Sequence, residues 1–312
     1  MRIILMATGA IAVPVLNRLI DEGMPPVALV TQPDRPVGRH QHEAVPPPVK
    51  PVARQAGIPV FQPEQANDAV AELAALKPEV VIVMAYGQIL KRPVLGLPEK
   101  AIINLHASLL PKYRGAACIQ AAIDAGDAET GVTAIHVVPK LDAGDMIHAR
   151  AIPIADQDTG GSMHDKIAAL APDVLIETLA MLADGSAPRI AQDPARVTHI
   201  GKLTRDDGRI DWTRPAAEIE RRIRAYDPWP GTFTTFTHRG HEKRLKVFPK
   251  ATVIDAADPT PGSVRLDGDL LVVGCGQGAL VLAEVQPEGG KRMPSGEFAH
   301  GHEVVGLGLA RE

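Results

Sequence analysis

The sequence predicts an α/β protein with a Rossmann-like, doubly wound, mostly parallel sheet and a C-terminal small β-barrel of the OB-like type. Residues 1–187 alternate strand-like and helix-like segments, which is typical of a parallel sheet covered by helices on both faces. After residue 187 the chain consists mainly of short strand-like runs separated by Gly and Pro turns, the pattern of a small barrel. The 312 residues are enough for two domains of roughly 100–200 residues each. We therefore expect a first domain at 1–187, a linker at 188–209 and a barrel domain at 210–312.

The expected strands of the first domain are short apolar runs at 2–7, 27–31, 60–61, 80–85, 102–106 and 132–138. The expected helices are segments with apolar residues at helical spacing, at 12–22, 49–57, 66–76, 116–125 and 163–182. In the first of these helices Val15, Leu16 and Leu19 share one face. Sheets of this kind place their sites at the carboxyl ends of the strands.

The second domain has one segment of helical spacing, at 216–225. Its expected strands are 231–237, 245–253, 262–266, 270–273 and 279–285. Five short strands at this spacing favour a barrel over an open sheet.

The composition limits the classes of partner. The net charge is −4 and aromatic residues make up 3% of the chain, so neither a globally basic nucleic-acid coat nor strand binding by base stacking is expected. Residues 202–250 nevertheless hold twelve Lys and Arg against seven Asp and Glu, a local excess of five positive charges. A solvated charged face and a local RNA contact both explain this excess.

Several familiar sites are missing from the sequence. The turn at 7–12 lacks the G-x-G-x-x-G pyrophosphate cradle, and no P-loop, G-x-S-x-G or H-E-x-x-H pattern occurs. The two cysteines, Cys118 and Cys275, are far apart and have no metal-ligand spacing. We expect no metal and no membrane span, and we interpret the cysteines as reduced thiols of a cytoplasmic protein.

Three polar side chains stand where the predicted sheet could bring them together. Asn104 and His106 lie two residues apart at a strand end and so on the same side of the strand. Together they could stabilise a negative oxygen in acyl transfer, or they could be a polar strand end with a satisfied core histidine. Asp142 could tune His106 or accept a proton, or it could simply belong to an Asp-Gly turn.

These residues lie in stretches that resemble the signature of the folate-dependent formyltransferases. The stretches are 103–111 (INLHASLLP), 113–116 (YRGA) and 141–145 (LDAGD). Further stretches resemble the branch of that family that acts on methionyl-tRNA: 31–36 (TQPDRP) with Gly38 and Arg39, 85–90 (AYGQIL), 126–133 (GDAETGVT), 210–212 (IDW), 224–230 (RAYDPWP) and 285–289 (VQPEG). The resemblance extends over nearly the whole chain.

The resemblance implies roles for the three polar residues and for two loops. Asn104 and His106 would hold the formyl oxygen of 10-formyltetrahydrofolate, and Asp142 would orient His106 or take the proton of the attacking amine, directly or through water. The folate site would be lined by Ser108, Leu109, Leu110 and Pro111, and the backbone at Gln88, Ile89 and Leu90 would meet the pterin.

The resemblance also implies initiator methionyl-tRNA as the acceptor, with no DNA partner, no membrane and a monomeric protein. Arg39, with Arg35, would reach the tRNA acceptor end from the long loop after the second strand, and Lys243 and Arg244 would mark the basic face of the barrel. The chain departs from the family at the turn 7–12, where Gly-Thr-Pro-x-Phe-Ala is usual, at 40–43, where lysines are usual, and at Cys118, where a proline is common. An amino-sugar nucleotide formyltransferase and a non-catalytic RNA- or folate-binding relative are the alternative functions.

Overall fold

The structure is a computed structural model of the chain, and it describes residues 1–36, 44–238, 240–256, 260–302 and 307. Two compact units divide the chain. The first comprises Met1–Cys118, Thr130–Ile152 and His164–Ile200, and the second comprises Ile119–Glu129, Pro153–Met163 and Gly201–Glu312. No helix in the described residues is long and apolar enough to cross a membrane.

Up to residue 200 the chain forms eleven strands in the described residues. They are β1 (Ile3–Ala7), β2 (Ala28–Val30), β3 (Arg35–Pro36), β4 (Ala44–Val45), β5 (Val60–Phe61), β6 (Val80–Met84), β7 (Ala101–His106), β8 (Arg114–Gly115), β9 (Glu129–His136), β10 (Met146–Pro153) and β11 (His199–Ile200). The helices of this part are α1 (Val13–Asp21), α2 (Val49–Gln55), α3 (Val70–Ala75), α4 (Arg92–Leu95), α5 (Cys118–Ala125) and α6 (Gly160–Asp184).

The main sheet has seven strands in the order β10-β9-β7-β6-β1-β2-β5. The pairs from β7 to β5 are parallel, and β9 runs antiparallel to β7. Every residue of β1 and β6 is buried, as expected for central strands covered on both faces. This arrangement confirms the predicted Rossmann-like, mostly parallel sheet.

One strand of this sheet has no counterpart in the sequence prediction. β10 is an edge strand in which only Ile147 is fully buried, and most of its other side chains are exposed. An edge strand with one buried residue lacks both the continuous apolar run and the clear alternation on which a strand prediction rests. The expected helix at 66–76 is also shorter, because its first turn is a 3-10 helix at Ala66–Ala69.

From residue 201 onward, the described residues form α7 (Ala216–Ala225), α8 (Ser295–Gly301) and eight further strands. These strands are β12 (Thr232–His238), β13 (His241–Val247), β14 (Thr252–Ile254), β15 (Val264–Asp267), β16 (Leu270–Gly274), β17 (Ala279–Leu282), β18 (Glu284–Pro287) and β19 (Met293–Pro294). They form two four-stranded sheets, β12-β13-β18-β19 and β14-β17-β16-β15. The buried cluster of the second unit includes Trp212 and Phe298, neither of which is exposed at all. The predicted small barrel-like domain is confirmed.

Two runs that the sequence presents as single strands are each divided between the two sheets. The first residues of the run 245–253 belong to β13 and its last residues to β14. The turn between the two strands contains Lys250, which adopts a positive φ of 77°. The run 279–285 is interrupted at Ala283, between β17 and β18. Buried apolar residues lie on both sides of each break and belong to one core cluster, which makes each run resemble a single strand in the sequence.

Candidate active site

The carboxyl end of β7 brings Asn104 and His106 to the same side of the main sheet. The His106 side chain is 6% exposed, and its Nε2 lies 2.9 Å from the carbonyl oxygen of Tyr113. Its Nδ1 lies 3.7 Å from Oδ2 of Asp142. The Asn104 amide nitrogen lies 3.4 Å from Oδ1 of the same carboxylate. Asp142 therefore stands between the two strand residues, and the three predicted catalytic side chains are in one place.

The surroundings of His106 favour its charged form. Burial disfavours the imidazolium, but the Cys118 side chain, the Asp142 carboxylate and the Tyr113 carbonyl outweigh that effect and raise the pKa of His106 to about 9. An imidazolium with its charge beside the strand end can stabilise a developing negative oxygen.

Asp142 reaches this position from a strained turn. Its φ is +48°, a left-handed conformation that residues with a Cβ rarely adopt. Its Oδ2 accepts a hydrogen bond of 2.9 Å from the backbone N–H of Gly115. A Cβ at Gly144 would lie 1.6 Å from the His136 carbonyl oxygen, so the turn passes too close to β9 for any side chain there. The segment is therefore an Asp-Gly turn, and the same turn places the Asp142 carboxylate beside His106.

The loop at residues 108–111 exposes more of its backbone than of its side chains to a ligand. Ser108, Leu110 and Pro111 are buried, and the Ser108 hydroxyl donates to the carbonyl of Lys112 at 2.7 Å. The loop is held by Thr133 of β9, whose hydroxyl donates to the Ser108 carbonyl at 2.7 Å and accepts from the Leu110 N–H at 3.1 Å.

The second predicted folate segment follows β6. The Gln88 side chain forms hydrogen bonds within the protein at both ends of its amide. Its Oε1 accepts from the Ala66 N–H at 2.8 Å, and its Nε2 donates to the Glu64 carbonyl at 3.0 Å. Ile89 is 74% exposed, whereas Leu90 is buried in the core. Backbone atoms and the Ile89 side chain are therefore what this segment offers to a ligand.

The long loop after β2 is fixed at its base. Lys50, only 6% exposed, donates to both carboxylate oxygens of Asp34 at 2.8 and 2.6 Å, and Gln62 donates to the same carboxylate at 2.7 Å. Arg35 is exposed, 3.8 Å from a carboxylate oxygen of Glu64. Arg39 lies outside the described residues.

In the barrel the predicted cations Lys243 and Arg244 are neighbours on β13 and point to opposite faces, because side chains alternate along a strand. Arg244 is exposed and lies 4.0 Å from the ring centroid of Phe233. Two arginines on α7 form ion pairs within the second unit. Arg222 pairs with Asp124 at 2.9 Å, and Arg224 pairs with Glu220 at 2.6 Å. Ion pairs inside the unit thus engage two of the positive charges in 202–250.

Three residues at the site were not predicted. Arg114 and Gln192 bond to each other and, through Gln192, to the Asp142 turn, and Thr133 holds the loop at Ser108. Arg114 and Thr133 lie inside the stretches that carry the family resemblance, which was the available signal. Gln192 lay in the predicted linker, where nothing distinguished it. No group of three metal-ligand side chains occurs in the described part of the chain.

Two known families match the chain. The family described as Formyl transferase matches residues 1–179, and the one described as Formyl transferase, C-terminal domain, matches residues 202–303. A methionyl-tRNA formyltransferase of Akkermansia muciniphila is 49% identical over 306 residues, covering 97% of each chain. That of Methylococcus capsulatus is 44% identical over 311 residues, covering 99% of each.

Solved structures share the fold at low identity. The N-formyltransferase of Helicobacter canadensis, in complex with folinic acid and dTDP-3-aminofucose, superposes with a TM-score of 0.68 at 16% identity, covering 94% of this chain and 100% of that one. HypX of Aquifex aeolicus in complex with tetrahydrofolic acid gives 0.61 at 18% identity, covering 96% and 47%. At these identities the likeness concerns the fold.

Proposed function

Because the chain belongs to the methionyl-tRNA formyltransferase family, we propose that it transfers the formyl group of 10-formyltetrahydrofolate to the α-amino group of methionyl initiator tRNA. The observation that carries the proposal is the convergence of Asn104, His106 and Asp142 at the carboxyl end of β7. Near full-length identity of 44–49% to curated methionyl-tRNA formyltransferases supports the choice of acceptor.

The chemistry requires no nucleophile from the protein. The methionine amine attacks the formyl carbon and the formyl oxygen becomes an oxyanion. The Asn104 amide and the His106 imidazolium stabilise that oxygen. Removal of one such donor typically lowers the rate by a factor on the order of 10²–10³. Asp142 accepts the proton that the amine nitrogen loses as the new C–N bond forms. Cleavage of the bond to N10 then releases tetrahydrofolate, and N10 takes the proton that Asp142 received, which restores the carboxylate.

The donor would bind where two loops meet the strand ends. Leu109 and the backbone of residues 108–111 would contact the folate, together with Ile89 and the backbone of residues 88–90. Buried side chains elsewhere in both loops, and the hydroxyl of Thr133 behind the first, support a preformed shape for this site.

The tRNA would be held by local positive charge. Arg35 and Arg39 would approach the acceptor end from the long loop, whose base is anchored by the ion pair of the buried Lys50 with Asp34. On the barrel, exposed Arg244 and its neighbour Lys243 would contact phosphates. Substitution of Arg39 by alanine should mainly reduce discrimination between initiator and elongator tRNA; unchanged discrimination would assign that recognition to other residues.

One assay tests the proposal. The purified full-length protein is incubated with 10-formyltetrahydrofolate and, in parallel, with methionyl initiator tRNA, methionyl elongator tRNA and an amino-sugar nucleotide. We expect formylation of the initiator tRNA well above both other acceptors. Formylation of the sugar nucleotide alone would assign the chain to the other formyltransferase class, and no turnover on any acceptor would favour a binding protein.

A further inference from the structure

The segment 188–200 folds back onto the loop that holds His106. β11 pairs in parallel with β8, so that His199 lies opposite Arg114 and Ile200 opposite Gly115. The backbone N–H of Tyr113 donates to the Thr198 hydroxyl at 2.7 Å, and that of Arg114 donates to the Thr198 carbonyl at 2.9 Å. The Tyr113 carbonyl that bonds His106 therefore belongs to a loop fixed by this later segment.

Gln192, in the same segment, connects this loop to the turn that carries Asp142. Its Oε1 accepts from Nε and Nη2 of Arg114 at 3.0 and 2.8 Å. Its Nε2 donates to the carbonyls of Asp142 and Gly144, each at 2.8 Å. One amide thereby uses two acceptor and two donor positions, its full capacity.

The Asp142 turn needs such support. Asp142 is in the left-handed region, which costs most residues with a Cβ roughly 1–2 kcal/mol and which Asp adopts only occasionally. Strained residues persist only where their surroundings determine them. Gln192 donates two hydrogen bonds to the backbone of the turn 142–144, and the other end of its amide is anchored by Arg114, a residue only 6% exposed.

We propose that Gln192 is a positioning residue for the reaction: anchored by Arg114, it holds the Asp142 carboxylate in place between Asn104 and His106. The proposal rests on the proposed function for its kinetic consequence. Its geometric part, the dependence of the Asp142 position on Gln192, stands apart from the identity of the substrates.

The variant that tests the proposal is Gln192→Glu. Glutamate has the same length and still accepts from Arg114, but it cannot donate to the carbonyls of Asp142 and Gly144. Ala195→Gln is the matched control, because it places a glutamine at an exposed position of the same segment. If Gln192→Glu does not fold, Gln192→Asn replaces it, since its amide is one C–C bond shorter.

Steady-state kinetics gives the first measurement. We expect Gln192→Glu to lower kcat on the order of 100-fold, the effect of a displacement near 1 Å at a reacting group. Both KM values, for 10-formyltetrahydrofolate and for methionyl-tRNA, should remain near those of wild type, and Ala195→Gln should match wild type throughout. A wild-type kcat in Gln192→Glu would overturn the proposal.

Amide hydrogen exchange gives a second measurement that needs no substrate. The Gly115 N–H is bonded to the Asp142 carboxylate, whereas the adjacent Arg114 N–H is bonded to the Thr198 carbonyl. Displacement of Asp142 should remove protection at Gly115 and leave it at Arg114. Retained protection at Gly115, or equal loss at both amides, would overturn the positioning role. If wild type fails to formylate tRNA, the proposed function fails, and the exchange pattern still decides the role of Gln192.

Discussion

Asn104 and Asp142 are 38 positions apart in the sequence, yet the amide nitrogen of one lies 3.4 Å from a carboxylate oxygen of the other. This distance exceeds the roughly 2.7–3.2 Å of a usual N–H···O bond. The shorter contact of the carboxylate, 2.9 Å, is to the Gly115 N–H. The carboxylate is therefore bonded more closely to the Gly115 backbone than to the Asn104 amide.

Substitution of Asp142 by asparagine tests the carboxylate as proton acceptor. The shape of the side chain is kept while its charge and basicity are lost, so we expect kcat to fall by a factor of about 10²–10⁴. The thermal unfolding curve, recorded on the same preparation, should show a folded protein. A kcat near that of wild type would remove Asp142 from the proton transfer.

The raised pKa of His106 predicts an alkaline limit to activity. The ordinary value is 6.5 and the folded value about 9. The stabilisation from the protonated ring is therefore full below pH 6.5 and is lost as the pH rises through about 9. We expect kcat/KM to fall over the same alkaline range.

Substitution of Cys118 by alanine should move that limit. Contact with the Cys118 side chain raises the pKa of His106, so its removal should shift the alkaline fall of kcat/KM to lower pH. Cys275→Ala, the same change at a buried cysteine of the second unit, is the control and should leave the profile unchanged. An identical profile in Cys118→Ala would show that Asp142 and Tyr113 suffice to charge the ring.

Thr133 should control donor binding through its hydroxyl. Thr133→Val keeps the volume but leaves the buried Leu110 N–H without an acceptor, at a cost of about 1–3 kcal/mol in the free energy of unfolding. The loop at Ser108 should loosen and the KM for 10-formyltetrahydrofolate should rise. Thr133→Ser, which retains the hydroxyl, should lie close to wild type in both measurements. A wild-type stability and KM in Thr133→Val would show that the hydroxyl is not required.

Gly115 admits no side chain. Its φ is +119°, and a Cβ there would lie 2.0 Å from the Ile200 carbonyl oxygen. Gly115→Ala should therefore separate β8 from β11, destabilise the protein by more than about 2 kcal/mol in denaturant titration, and abolish turnover. At Gly201 nothing lies within 4 Å of the added Cβ, so Gly201→Ala should change stability by no more than about 0.5 kcal/mol.

Arg244→Ala should weaken tRNA binding in a salt-dependent way. If the exposed guanidinium contacts one phosphate, the slope of log K against log salt should become shallower by about 0.7–0.9. Arg265→Ala on β15, also exposed, is the matched control. Equal slopes for wild type and both variants would place the phosphate contacts on other residues.

The sequence predicts the interior of this fold better than its edges. β1 and β6 are found within a residue of their expected limits, and α7 coincides with its predicted span, because burial on two faces or along one stripe leaves a clear apolar pattern. β10 was missed because it is mostly exposed. The division of 245–253 and 279–285 between sheets depends on which sheet each residue pairs with, and apolar residues on both sides of a break do not reveal that.

The site was predictable only in part. Strand periodicity brings Asn104 and His106 to one side, the Asp-Gly turn makes Asp142 a candidate partner, and the family resemblance assigns the three their roles. Gln192 contributes through bonds to residues 50 and 78 positions away, and such long-range contacts arise from the tertiary fold. Its neighbours in the sequence have no pattern that would single it out.

The return of residues 192–200 to the loop at Arg114 also sets an order of events during synthesis. Asn104, His106 and Asp142 leave the ribosome before the amide and the strand that fix their geometry. At 5–20 residues per second, the nascent chain needs on the order of 3–12 s between Asp142 and Ile200. During that interval the newborn domain lacks the segment that fixes its active centre, so a chain stalled before residue 192 should be inert.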